Sequence, residues 1–174
     1  MQSSLATHMI RFLATILLPA ALLSSCSIYR FKDVSIPAEV KTCRIQYIEN
    51  RARFVNPQLS PQLTDKLRQK INNQTRLTLI QSDEADYDIK CEITGYDVTT
   101  SGISQQQSST NRLIVTVNVN FKNKLDEKKN FQAAVSRNFD FSAQLSLDQA
   151  QAQLTSSIIQ NMTDEIFNRI FSNW

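Results

Sequence analysis

The chain of 174 residues contains one histidine, His8, and two glycines, Gly95 and Gly102. Past residue 8 there is no histidine for a Ser–His or Cys–His nucleophile, for a general base or for an ordinary zinc site. Two glycines cannot build a phosphate-cradling loop or a dinucleotide fingerprint. A long apolar run is missing as well. The stretch from Phe12 to Leu23 is broken by Pro19 and falls short of the roughly twenty residues that a bilayer span needs. Charge of one sign is not in excess: 19 Lys and Arg stand against 16 Asp and Glu, a balance that does not argue for a duplex nucleic-acid binder. The acidic cluster Asp83-Glu84, Asp86 and Asp88 has neither the glycine turn nor the spacing of an EF-hand. It reads as a solvated hairpin turn rather than a calcium loop or a catalytic carboxylate pair.

The opening of the chain is where a signal is present. Arg11, the apolar run and the small residues Ser24-Ser25 form the n-, h- and cleavage regions of a secretory signal peptide. A start at Met1 or at Met9 serves this reading equally. Leu23-Ser24-Ser25-Cys26 resembles the bacterial lipobox, which implies cleavage between Ser25 and Cys26 and a diacylglycerol thioether on Cys26, usually with a third acyl chain on its amine. One myristoyl-sized chain binds a membrane marginally, and two or three hold firmly at about 0.8 kcal/mol per buried methylene. Ser27 is not the aspartate that retains lipoproteins at an inner membrane. No acidic run of the kind found in some surface lipoproteins follows Cys26, since residues 27–32 read Ser-Ile-Tyr-Arg-Phe-Lys. These features predict an outer-membrane protein, lipid-anchored on the periplasmic side.

Removing residues 1–25 leaves 149 residues with 18 basic and 16 acidic side chains, one domain's worth of core. Residues 26–40 read as a lipidated tether and 41–174 as a single α+β domain. Cys43, Ile45 and Tyr47 alternate with polar residues over 42–48, the mark of a half-buried strand. Ser60-Pro61 suggests a helix cap with proline at the first helical position, and Leu63, Leu67 and Ile71 carry that helix to Asn72-Asn73. Residues 76–81 read as a short strand. Tyr87, Ile89, Cys91 and Ile93 set a stripe that changes phase at Gly95 and resumes at Tyr96 and Val98, as at a β-bulge. Strands follow at 112–121 and 131–141, joined by a charged turn at 123–130. Ser146 with Gln149 forms a capping box, and an apolar stripe from Leu147 to Ile170 marks a long helix, with Phe167, Phe171 and Trp174 at its edge. The expected architecture is a mostly antiparallel sheet of four or five strands with two helices packed on one face. The polar segment 99–110 is either a loose hairpin loop or a piece ordered by a partner. Cys43 and Cys91 fall at apolar positions, where buried thiols are common, and an oxidising compartment leaves a disulfide between them open.

The lipobox, the order of elements and the strings Cys26-Ser27-Ile28-Tyr29-Arg30-Phe31, Asn50-Arg51-Ala52-Arg53-Phe54-Val55-Asn56-Pro57, Asn111-Arg112-Leu113, Lys129-Asn130-Phe131 and Asn173-Trp174 resemble the LptE-type lipopolysaccharide-assembly lipoproteins in their Bacteroidota form. The resemblance spans nearly the whole mature chain. It implies a non-enzymatic plug and assembly subunit, without cofactor, inside an LptD-type outer-membrane β-barrel that inserts lipopolysaccharide into the outer leaflet. Proteobacterial members share the architecture but little sequence, so their lipopolysaccharide contacts do not transfer residue by residue.

Arg51 and Arg53, beside a helix carrying Lys66, Arg68 and Lys70, nominate a phosphate contact for lipopolysaccharide; a plain solvated surface is the competing reading. Two other functions stand beside the plug. One is an envelope lipoprotein that binds peptidoglycan or another glycan. The other is a carbohydrate-active enzyme using Asp86, Asp88, Asp97 and Asp140.

Overall fold

A computed structural model describes residues 36–101 and 110–172. The chain divides into a unit of Met1–Asp33 and a unit of Val34–Trp174, and every described residue belongs to the second. Cys26 with its signal, residues 102–109 of the polar segment, and Trp174 lie outside the described residues.

The elements run β1 (Thr42–Ile45), β2 (Glu49–Asn50), α1 (Leu59–Gln74), β3 (Thr78–Leu79), β4 (Tyr87–Ser101), β5 (Thr110–Asn123), a 3-10 turn (Glu127–Lys129), β6 (Phe131–Ser142) and α2 (Leu147–Phe171). They form an α+β fold on one six-stranded sheet, ordered β3-β1-β4-β5-β6, with β2 also pairing β4. The β4-β5-β6 meander is antiparallel, as its strict alternation requires. β1 departs from the expected pattern and lies parallel to both β3 and β4. The reason is α1: a helix between two strands returns the chain to the end from which it started, so the strand after it runs parallel. The expected strand over 42–48 is also split. β1 ends at Ile45 and β2 resumes the same parallel pairing with β4 at Glu49.

The stripe change at Gly95 is a bulge, with the β4–β5 register shifting between Ile93 and Gly95. Space favours glycine there. A Cβ at position 95 would stand 3.0 Å from Thr116 Cβ on the neighbouring strand. The capping box of α2 forms as the sequence predicts: Gln149 N donates to Ser146 Oγ, and Ser146 N donates to Gln149 Oε1. The start of α1 differs. Gln58 is the cap residue, with no side-chain cap bond, and Ser60 is a buried helical residue. Asn56 organises this end instead, accepting from Gln58 N at its side chain and from Leu59 N at its carbonyl. Pro61 is the third helical residue, still within the turn whose N–H groups have no helical partner.

Both helices and one sheet face enclose the core. Leu59, Leu63, Leu67 and Ile71 from α1 and Ala150, Ile158, Met162 and Ile166 from α2 are fully buried there with Ile89, Ile93, Val115 and Val117. Phe167 and Phe171, expected at the edge of the stripe, are buried too. Cys43 and Cys91 are free buried thiols. Cys43 pairs with Tyr87, four residues short of Cys91 on β4, which is about 13 Å along a strand and beyond disulfide reach.

Candidate functional site

The loop between β2 and α1 presents the arginines. Arg51 N donates to Ile93 O at 2.8 Å, and Ala52 N donates to Asn50 Oδ1 at 3.0 Å, which seats the buried Ala52. Asn56 fixes the far end. The tip between these two anchors is solvent-facing, with Phe54 50% and Val55 60% exposed. Arg51 is already paired: it donates from Nε and Nη2 to Glu49 Oε2, and Glu92 lies 3.9 Å away. The hydrogen bond to Glu49, with attraction to Glu92 and Glu49, moves its pKa further up. Arg53 has no carboxylate partner among the described residues, and its guanidinium lies 5.9 Å from the Phe54 ring centroid. A free cation beside two exposed apolar side chains is an amphiphilic tip. The apolar half carries no helical or strand period, so pattern reading passes over Phe54 and Val55.

Lys66 and Lys70 stand elsewhere. They line a small cleft of about 160 Å³ between α1 and α2, with Gln69, Asn73, Gln160 and Thr163. Lys70 Nζ donates to Asp164 Oδ1 at 2.8 Å and lies 4.9 Å from the Phe167 ring centroid. Burial pushes the Asp164 carboxyl up, but hydrogen bonds from Lys70 and Gln160 and attraction to Lys70 and Lys66 outweigh it, so its pKa sits below the usual carboxylate range. Lys70 is therefore a fastener between helices. Arg68 also works inside the fold, donating from Nη2 to Ile45 O at 3.0 Å. The four nominated cations do not form one site: the cleft gathers Lys66 and Lys70, and Arg51 and Arg53 line no part of it.

The sheet face turned away from the helices carries polar rows set by the register. Lys90, Asn120 and Gln132 are in line, then Glu92, Asn118 and Ala134, then Gly95, Thr116 and Ser136. Thr116 and Ser136 share a hydroxyl hydrogen bond at 3.0 Å. Two arginine forks flank these rows. Arg44 Nε and Nη2 reach the two oxygens of Asp88, both at 2.9 Å, and Arg112 grips Asp140 at 2.7 and 3.0 Å.

Of the four nominated aspartates, Asp86, Asp88 and Asp140 are taken up by the same frame, while Asp97 faces Ile114 in the β4–β5 register. Asp86 accepts from Lys41 N, Thr42 N and Thr42 Oγ1 at 2.8–2.9 Å, and the backbone bond from Lys41 leads in lowering its pKa. Burial pushes Asp88 up, but hydrogen bonds from Arg44 and Gln46 bring it below the ordinary value. Asp140 is lowered by its Arg112 fork. Asp83 pairs with Arg44. A glycosidase acid is a carboxyl held protonated near neutral pH, and these three shifts run the other way. No helix among the described residues is long and apolar enough to cross a membrane.

A family model described as LptE: Lipopolysaccharide-assembly matches residues 40–170, from just before β1 to the last turn of α2. Among curated proteins, none matches the chain. Among solved structures, a minor lipoprotein from Acinetobacter baumannii is similar at a TM-score of 0.52 and 14% identity, covering 79% of this chain and 95% of its own. A PelC dodecamer from Paraburkholderia phytofirmans has a TM-score of 0.48 at 8% identity, covering 78% of this chain and 92% of that one. Lipoprotein B from Nitrosomonas europaea has 0.48 at 10%, covering 76% and 84%. At 14% identity the likeness to the Acinetobacter lipoprotein is one of fold alone.

Proposed function

The chain belongs to the LptE family of lipopolysaccharide-assembly proteins, and from that premise we propose that it is an outer-membrane lipoprotein serving as plug and assembly subunit of a lipopolysaccharide translocon. Acyl chains on Cys26 hold it at the periplasmic side through the 26–40 tether. Its partner is an LptD-type β-barrel, which it helps to fold and whose lumen it occupies. The function is non-enzymatic.

The family match carries this reading, because it spans the described elements from β1 to α2 and not a local motif. Two physical features support it. A compact 149-residue chain has a radius of gyration near 15 Å, about 38 Å across, which only the widest membrane barrels enclose. The lumen of such a barrel is polar, and the helix-free face of this sheet offers a matching surface of Asn118, Asn120, Thr116 and Ser136. Lipopolysaccharide is met at the tip of the β2–α1 loop, where Arg53 suits a phosphate and Phe54 and Val55 suit acyl chains. Arg51 is a lesser contact, since it already holds Glu49, and Lys66 and Lys70 lie in a separate cleft.

The test is affinity purification of the mature lipoprotein from outer membranes in mild detergent. A stoichiometric complex with one very large β-barrel is expected, and depletion of the lipoprotein is expected to leave that barrel misfolded. A stable complex lacking any barrel overturns the reading. Labelled palmitate should enter the wild-type protein and not Cys26→Ser.

A further inference from the structure

A second cavity among the described residues lies away from the β2–α1 loop, at the end of the sheet where β4 begins. It measures about 420 Å³, within the range of small-molecule sites. Its floor is aromatic: Tyr87 meets Phe121 edge-on at 4.8 Å between centroids, and Phe121 stacks on Phe131 at 5.3 Å. Ile36, Pro37, Ile170 and Phe171 add apolar walls, and Ser172 and two cations, Lys129 and Arg169, complete the lining. Arg169 has no carboxylate partner among the described residues and lies 5.1 Å from the Phe131 centroid. Lys129 reaches Asp126 only at 3.6 Å, with its side chain 57% exposed. The nearby end of α2 presents carbonyls, so an anion bound here has side-chain cations as its partners.

We propose that this pocket takes one acyl chain of an anionic phospholipid, with the chain on the Tyr87–Phe121–Phe131 floor and the phosphate between Arg169 and Lys129. Three observations select that occupant. Charge complementarity favours an anion over a neutral or zwitterionic headgroup. The volume suits a single chain. Ile36 and Pro37 form one wall, and Ile36 lies ten positions after Cys26, at most about 36 Å of extended chain, so the pocket stays within reach of the bilayer that receives the anchor. The position also separates it from the proposed lipopolysaccharide contact. The loop leaves β2 beside Ile93, six residues along β4 from Tyr87, about 20 Å away. The inference rests on acylation of Cys26 and is independent of the barrel partnership.

The mature lipoprotein, reconstituted in phosphatidylcholine nanodiscs, is irradiated with trace phosphatidylglycerol bearing a photoactivatable acyl chain, and adducts are mapped by mass spectrometry. A phosphatidylcholine probe with the same chain runs in parallel. Expected are adducts on the peptides of Phe121, Phe131 and Ile170 for the anionic probe, at least fivefold above the zwitterionic one. The pair Arg169→Gln and Lys129→Gln should remove that preference. Arg169→Lys should keep most of it, and both sets should retain the wild-type circular dichroism. Equal labelling by the two probes overturns the proposal, as does labelling confined to other peptides. Competition by lipid A that abolishes the adducts assigns the pocket to lipopolysaccharide and overturns it too. Adducts that appear only after deletion of Asn173-Trp174 show a pocket filled by the chain's own end, which likewise overturns it. Loss of the barrel complex with the adducts intact would sink the proposed function and leave this inference standing.

Discussion

Lys70 Nζ holds Asp164 Oδ1 at 2.8 Å across the two helices and lies over the Phe167 ring. A cation nominated by its sequence neighbourhood as a ligand contact is thus part of the α1–α2 seam. Lys70→Ala is expected to lower stability by about 1–2 kcal/mol, from one charge-assisted hydrogen bond and one cation–π contact that are only partly desolvated. Arg53→Ala should leave stability within about 0.5 kcal/mol and weaken lipopolysaccharide binding. Urea denaturation and a lipopolysaccharide-binding assay on both variants separate the roles.

Asp86 supports the start of β1, and the sign of its contribution follows from its shift. Its folded pKa lies below the unfolded value near 3.9, so the unfolded chain takes up the proton first. The stabilisation is fully present above the unfolded pKa and is lost as pH falls through the folded one. Asp88 acts in the same direction. The urea midpoint should be flat between about pH 7 and 5 and fall steeply below about 4. Asp86→Ala should cost about 2 kcal/mol at neutral pH and flatten the acid limb.

Gly95 has a packing requirement. Gly95→Ala puts a methyl 3.0 Å from Thr116 Cβ and 3.1 Å from its Oγ1, so Thr116 must give by a few tenths of an ångström. A loss of about 1–3 kcal/mol is expected. The double variant Gly95→Ala with Thr116→Gly should lose less than the sum of the single changes, and a double-mutant cycle with no coupling would refute the contact.

The two internal thiols are held protonated. Burial pushes both up to about 12, with the Asp88 charge adding to the effect at Cys43. At pH 8 a thiol reagent should therefore modify Cys43 and Cys91 only as fast as the protein opens, and both at once in denaturant. Prompt labelling of either thiol in the native state would contradict their burial.

Periodicity made the meander legible, down to the Gly95 bulge, because alternation on one covered face is written into every second residue. The Ser146–Gln149 capping box was equally readable, since both partners lie within one turn. What periodicity does not encode is which strand a strand meets. Thr42–Ile45 looks the same whether its neighbour runs parallel or antiparallel, and only the α1 crossover decides. Ser60 misled for a related reason. Leu59 is fully buried and already helical, so the helix begins two residues earlier and Asn56, outside the helix, organises its start. At the candidate site, Arg51 and Arg53 look alike in sequence, and they differ by the carboxylates that β2 and β4 bring to Arg51. Lys70 and Asp164 are 94 residues apart, with no local signal joining them.

β1 finds its partners only across a long stretch of chain: Cys43 meets Leu79 and Tyr87, while β4, β5 and β6 are joined by short connections. Loop closure makes such remote pairings late, so the meander and α2 are expected to assemble first and the amino-terminal strand to dock last. The end of the polypeptide that is synthesised earliest is then the end that completes the native state.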